Sequence, residues 1–244
     1  MTVGVITNAF KEERWIEGCI KQFKDFELPH VVLNSLVPWG FSDYDFEFGK
    51  DNTAEKARKA GAVVYQLPWA NEQDQFNTGL QLLGNRDWVL IVDADERYEK
   101  VEIEKLLIIL EEIKDTNIEI VRPRSWSVYW KTPYFKLFPE QPYKPIIAIK
   151  PTCLFKSMRN AIGTQTFSNI EMHHFSYVRS DEEMKRKIDT FSHKDEIVPG
   201  WYNNKWLRWK PSMMNLHPVV PEQFQRAMYD PCPESIMEFL PHGN

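Results

Sequence analysis

The sequence predicts an α/β fold, a mostly parallel central sheet with helices on both faces. Three observations lead there. Short β-branched apolar runs alternate with amphipathic stretches from Thr2 to Val92, the strand-helix-strand order of right-handed parallel units. One run, Trp88-Val89-Leu90-Ile91-Val92, is apolar at every position, as in a strand buried on both faces. That run ends abruptly in Asp93-Ala94-Asp95-Glu96-Arg97. In open α/β sheets ligands bind at the carboxyl ends of strands, so the acidic cluster falls where a ligand would sit.

The elements follow in order. Thr2 to Thr7 is a β-branched strand, and Asn8-Ala9-Phe10-Lys11-Glu12-Glu13 turns into a helix carrying Trp15, Ile16, Cys19, Ile20 and Phe23 at helical spacing. His30 to Leu36 is a second strand, broken by Pro38-Trp39-Gly40, and an aromatic, acidic loop runs from Phe41 to Lys50. Asp51 or Asn52 caps a helix from Ala54 to Ala60 that stops at Gly61. Ala62 to Leu67 is a third strand, and a polar helix from Glu72 to Leu83 leads through Gly84-Asn85-Arg86-Asp87 to the central strand. Beyond the acids, Val101 to Ile113 is helical and Ile118 to Val121 is a strand. Trp126 to Tyr143 reads as an irregular cleft wall, and Ile146 to Phe155 as one or two strands with a break at Pro151. Ile170 to Tyr177 is a strand and Asp181 to Phe191 a helix. From His193 the chain is rich in Trp and Pro and is expected to pack as a tail around the sheet edge. The expected organisation is one domain over 1–192 with an aromatic C-terminal extension over 193–244 packed on it.

Composition narrows the function classes. Hydrophobic residues make up 43% of the 244, enough for a sizeable core. No apolar stretch approaches the ~20 residues that span a bilayer, and MTVGVITNAF lacks the basic and apolar segments of a signal peptide. The three cysteines, Cys19, Cys153 and Cys232, show no metal-like spacing and are too few for a disulfide scaffold. A cytoplasmic protein with no transmembrane segment is expected. The net charge of −5 gives no global nucleic-acid footprint. A local basic strip, Lys185-Arg186-Lys187, is either a nucleic-acid contact or the solvated face of a helix.

Residues two apart on a strand point the same way, so Asp93 and Asp95 can converge on one cation while Ala94 leaves room between them. Hard oxygen ligands that leave positions for water and phosphate describe a Mg²⁺ or Mn²⁺ site completed by a substrate phosphate. The plain alternative is a solvated turn after a strand.

The order of several motifs resembles glycosyltransferase family 2, enzymes of the GT-A fold that use nucleotide-diphosphate sugars. The motifs are Val3-Gly4-Val5-Ile6-Thr7-Asn8 with Glu12-Glu13, Asp51-Asn52-Thr53 opening a helix that ends Ala60-Gly61-Ala62, Asn77-Thr78-Gly79-Leu80, and Asp87 through Glu96. His173-His174-Phe175-Ser176-Tyr177 is similar to a later segment of some members. The clear similarity covers the first half of the chain. One departure stands out: many members end the second strand in an acidic pair that holds the base, where this chain has Asn34-Ser35.

The resemblance implies a GT-A domain and an inverting, metal-dependent transfer of a hexose or pentose from a nucleotide-diphosphate sugar, a UDP-sugar being the expected donor. It implies that Thr7, Asn8, Glu12, Asn34, Asp51, Asn77 and Asp93 lie near the nucleotide. Asp51 and Asn77 keep the competing reading of helix caps. It makes Asp93 and Asp95 the residues that hold Mn²⁺ or Mg²⁺, Asp95 as the expected direct ligand and Asp93 contacting the ribose or a metal-bound water, with His173 or His174 as a third ligand. Adjacent strand residues face opposite ways, so only one of the two histidines can reach the metal. Glu96 and Arg97 face the acceptor or brace the loop. Asp181 and Glu171 are the candidate bases for the acceptor hydroxyl, Asp181 competing with a helix-cap role. Trp39, Trp69, Trp126 and Trp130 are core residues or stacking walls. The acceptor is a glycan, a lipid-linked sugar, a protein, a small molecule or a modified base in DNA. A nucleotidyltransferase and a non-catalytic sugar-nucleotide-binding module are the rival readings. The loop after the first strand has no glycine to wrap a triphosphate, which weighs against the former.

Overall fold

The structure is a computed structural model and describes residues 1–40, 50–157, 159–190, 192, 194–220, 222 and 225–241. His193 and all but Lys50 of the acidic loop expected over 41–50 lie outside the described residues.

Four parallel strands form the centre. β1 (Val3–Ala9) lies between β2 (His30–Ser35) and β4 (Trp88–Ile91), and β3 (Val63–Leu67) pairs beyond β2. Val5 faces His30 on one side and Leu90 on the other. The unbroken apolar runs are explained by burial on both faces. Val5 and Leu90 pack into one cluster with Cys19 and Phe23, alongside Ile103 and Leu106. Ile6, Val89 and Ile91 turn the other way, against Phe76 and Leu80. The helices between these strands are α1 (Ile16–Lys21), α2 (Thr53–Lys59) and α3 (Glu72–Leu82), with α4 (Lys100–Ile113) after β4. Helix α3 sits unusually close to the sheet: a Cβ on Gly79 would lie 2.6 Å from Ile6 Cδ1. This matches the expected α/β class, with a mostly parallel central sheet flanked by helices.

The second half departs from the expected element boundaries. β6 (Ile120–Trp130) runs seamlessly into the stretch read as an irregular wall, and β7 (Phe135–Phe138) follows it. The proline at 123 does not end β6, because the register with β11 (Gln165–Tyr177) shifts just beyond it, between Ser168 and Glu171. A bulge absorbs the missing donor. β11 also starts earlier than its apolar part, since Gln165 to Phe167 are carried by parallel pairing with β6 and not by burial of their own, Phe167 being exposed. Ile146 to Phe155 divides into β8 (Ala148–Ile149), antiparallel to β4 and β6, and β9 (Phe155–Ser157), which pairs with β10 (Asn160–Ala161). The short β5 (Glu96–Arg97) is antiparallel to β11, setting Glu96 opposite His174. Helix α5 (Asp181–Thr190) follows β11.

The C-terminal stretch does more than skirt the sheet edge. β12 (Arg226–Tyr229) pairs with β7, Trp201 and Trp206 pack with Trp130, and α6 (Glu234–Met237) joins a cluster with Trp15 and Phe175. Among the described residues no helix is long and apolar enough to cross a membrane.

Candidate functional site

A cleft of about 270 Å³ opens at the carboxyl ends of β1 and β4. Asn8, Ala9, Phe10, Lys11 and Glu12 form one wall, and Val37, Pro38, Trp39 and Glu72 another. Asp93, Ala94 and Asp95 make the floor, with His174 and Ser176 of β11 beside them. Glu183, Arg186, Lys187 and Thr190 of α5 close the far side, a spacing that puts all four on one face of the helix. The basic run 185–187 is therefore split. Lys185 turns outward to Asp189 at 2.5 Å, while Arg186 and Lys187 line the cleft.

The acidic loop is fixed by its own residues and by distant cations. Glu96, fully buried, accepts from the Asp93 backbone N–H at 2.8 Å and is gripped by Arg159. Arg159 also donates to Asp93 Oδ2 at 3.1 Å and to the carbonyls of Ile91 and Ile146 at 2.9 and 2.6 Å. Arg97 braces the loop from beneath. It donates to the carbonyls of Ala94, Glu96, Trp15 and Phe239, tying the acids to α1 and the C-terminal segment. Asp95 is buried among positive groups. Its Oδ2 accepts from Arg179 at 2.6 Å and Lys187 at 3.2 Å, and its Oδ1 lies 3.2 Å from His174 Nε2. Arg179 in turn holds both oxygens of Glu12 at 2.9 and 3.1 Å.

Charge follows this geometry. Burial alone would push the Asp95 carboxyl up. Lys187, His174 and Arg179 outweigh it and hold Asp95 well below the usual carboxylate range. Glu72 shows the opposite outcome, since burial and the nearby Asp93 push its carboxyl up to about 8.

The residues present fit a divalent cation. Asp93, Glu96 and His174 each offer one ligand atom, and the three atoms lie within 4.8 Å of one another. Two carboxylates and an imidazole suit Mn²⁺ better than Mg²⁺, which prefers oxygen alone. His174 Nδ1 is buried without a hydrogen-bond partner among the described residues, as a nitrogen reserved for a metal would be. Asp95 is absent from that trio.

The other expected residues divide into those brought to the cleft and those engaged elsewhere. Asn8 lines it, and its side-chain amide is buried with no partner among the described residues. Asn34 has the same unpartnered amide but is fully buried behind the lining. Thr7 is taken up by His30, Oγ1 to Nε2 at 2.8 Å. Asp51 accepts from Thr53 N–H and Oγ1 at the start of α2, at 3.0 and 2.8 Å, the cap-like role of the competing reading. Asn77 spends both ends of its amide on the Phe155 backbone, holding β9 against α3. His173 lies on the opposite face of β11 from His174, with Nδ1 3.0 Å from Tyr129 Oη, and burial lowers its basicity. Glu171 shares that face and accepts from Ser127 at 2.6 Å. Asp181 accepts from Lys131 at 2.9 Å and Trp206 Nε1 at 2.8 Å and does not line the cleft. Of the candidate stacking walls, Trp39 lines the cleft and Trp126 stacks on His174 at 5.5 Å and 14°. Trp69 and Trp130 are core residues.

Sequence reasoning missed Arg159 and Arg179. Arg179 carried a usable signal: it follows an apolar strand end, as the acids do after β4. Arg159 carried none, since the acids it holds are more than sixty residues away and no periodicity encodes them.

No protein-family model matches the chain, and no curated protein matches it. Solved structures resemble it in part. A mannosyltransferase from Pyrobaculum calidifontis, in complex with GDP-Man and Mn²⁺, is 18% identical over 61% of this chain and 44% of that one, with a TM-score of 0.42. A cytidylyltransferase from Leptospira borgpetersenii is 18% identical over 51% of this chain and 54% of that one, with a TM-score of 0.38. A mannose-1-phosphate geranyltransferase from Thermus thermophilus is 13% identical over 62% and 51%, with a TM-score of 0.35. The chain thus spans about half the length of each of these.

Proposed function

We propose that the chain is a metal-dependent glycosyltransferase that takes a sugar from a nucleotide diphosphate, with UDP as the expected carrier, and passes it to an acceptor hydroxyl with inversion. One observation carries this reading. The cleft sets Asp93 and His174, two of the three groups that could hold a metal, beside the cations Lys11, Arg186 and Lys187. Asp93 and His174 would hold a divalent cation there, and it would supply Lewis-acid stabilisation of the departing diphosphate. The chain's own residues do the rest. Lys187 and Arg186 present positive charge to the phosphates. The amide of Asn8 and the wall of Val37, Pro38 and Trp39 offer a polar and an apolar contact for a base. The motif order read in the sequence supports placement in glycosyltransferase family 2, and cytoplasmic action on a glycan, lipid-linked sugar or DNA base belongs to the same proposal. So does the division into a transferase domain over 1–192 and an extension over 193–244, supported by the way Arg97 grips the Phe239 carbonyl.

Nucleotidyl transfer is the second reading, favoured by the same cations, which suit a triphosphate equally well. One assay separates them. The protein is incubated with UDP-, GDP-, TDP- and CMP-sugars, or with nucleoside triphosphates plus sugar phosphates, in Mn²⁺, Mg²⁺ or EDTA. Release of a nucleotide from one sugar donor, abolished by EDTA and by Asp93→Asn, is the expected result. Pyrophosphate release from a triphosphate would establish the second reading. No turnover, with no metal-dependent thermal stabilisation by any sugar nucleotide, contradicts both.

A further inference from the structure

Asp95 completes an Asp-x-Asp pair, yet its surroundings are those of a buried counter-ion. Both of its oxygens are engaged, Oδ2 by Arg179 and Lys187 and Oδ1 by His174. Its side chain is 6% exposed, against 31% for Asp93. A metal that took Asp95 would have to displace two cations from a buried carboxylate, leaving Arg179 with Glu12 alone. The histidine contact points elsewhere. Metal-binding histidines commonly give one ring nitrogen to a carboxylate and the other to the ion. His174 has that arrangement: Nε2 is on Asp95, and Nδ1 is buried and unpartnered among the described residues. On the other side of Asp95, Lys187 also donates to Ser176 Oγ at 2.8 Å and remains part of the cleft lining with Arg186 one residue before it. Lys11 lines the cleft as well.

We propose that Asp95 is a positioning residue: it orients His174 toward the metal and holds Arg179 and Lys187 as an arm for the diphosphate, without ligating the metal itself. The inference rests on the transferase reading above and deepens it. Its consequence is that metal and diphosphate are held by separable groups. The metal belongs to Asp93 and His174, the two groups of the trio that line the cleft, and the diphosphate to Lys187 and its neighbours on α5.

The test uses the full chain with two probes, Mn²⁺ alone, followed by electron paramagnetic resonance, and inorganic pyrophosphate in EDTA, followed by calorimetry. Circular dichroism checks the fold of each variant. Asp95→Asn keeps an acceptor for His174 and is expected to hold Mn²⁺ within about threefold of wild type, whereas Asp95→Ala loses about 10- to 100-fold. Asp93→Asn is expected to lose at least as much as Asp95→Ala. Lys187→Gln is expected to bind Mn²⁺ normally and to weaken pyrophosphate by roughly tenfold. Loss of Mn²⁺ in Asp95→Asn as deep as in Asp93→Asn would make Asp95 a ligand and overturn the inference. Undiminished pyrophosphate binding by Lys187→Gln would overturn the arm. A wild type that binds pyrophosphate but no Mn²⁺ sinks the metal-dependent reading of function and leaves the arm standing. Binding of neither probe ends both.

Discussion

The acidic loop is held from two sides, and the two sides differ in kind. On the Asp93 side one guanidinium, Arg159, spans a half-exposed carboxylate and a fully buried one, Glu96. On the Asp95 side a single buried carboxylate gathers Arg179, Lys187 and His174. Two aspartates one residue apart, identical in chemistry, are thereby given different work. Asp93 keeps access to the cleft, and Asp95 is spent on its neighbours. Between the two aspartates, partner count and exposure differ where spacing alone does not.

The comparison is broken most severely by Arg159→Ala. It strips the cation from Glu96, which has no access to water, and such an orphaned charge costs about 3–5 kcal/mol. Arg179→Ala leaves Asp95 with Lys187 and His174 and is expected to cost less, about 2 kcal/mol. Urea midpoints measure both. Equal losses would mean that the two sides are equivalent.

The adjacent histidines give the next contrast. His174→Ala should lower sugar-nucleotide turnover on the order of 10- to 100-fold with little loss of stability. His173→Ala should do the reverse, since its ring bonds Tyr129 behind the sheet. Turnover and Tm, measured on each variant, separate the two roles, and matching profiles would remove the distinction between the faces of β11.

Titration sharpens the comparison in metal-free protein. The Glu72 carboxyl is raised to about 8 in the folded state, against about 4.3 unfolded. The folded state therefore keeps a proton that the unfolded state sheds, and this contribution to stability falls as pH rises from about 4.3 to 8. Glu72→Gln should remove that fall, worth about 1 kcal/mol after allowing for solvent access. Asp95 runs the other way. Its depressed folded value gives stability that is complete above the unfolded value of about 3.9 and is lost as pH falls through the folded one. Asp95→Asn should flatten that acid limb. Denaturant midpoints taken across pH 3–9 read both effects. The smallest expected change is Asp181→Asn. Its carboxylate is largely exposed and paired with Lys131, so it should cost under about 1 kcal/mol and leave turnover unmoved. A large loss of turnover would restore Asp181 as a base acting from outside the cleft.

What was legible in the sequence tracks the range of the interactions. β1, β2 and β4 announce themselves because burial on both faces demands an unbroken apolar run, and Asp93 follows from the rule for strand ends. The pair His173-His174 was legible as a choice, since strand alternation sends one to each face, but the face that meets the acids depends on β5 pairing antiparallel to β11. β6 was cut short because its apolar run ends at Val121, while the pairing that carries it on to Trp130 belongs to another strand. Arg159 and Arg179 reach the acids across 66 and 84 residues. The strand end before Arg179 hints at a site but nothing local names its partner, so Asp95 reads as a ligand until its partners are seen.

The most direct measurement is a crystal grown with Mn²⁺ and UDP, with anomalous scattering used to find the metal. One peak is expected in the cleft, touching Asp93, His174 and the diphosphate, with Asp95 still on Arg179 and Lys187. A peak coordinated by Asp95, or a diphosphate seated in the cleft with no metal beside it, would contradict the division of labour between the two aspartates.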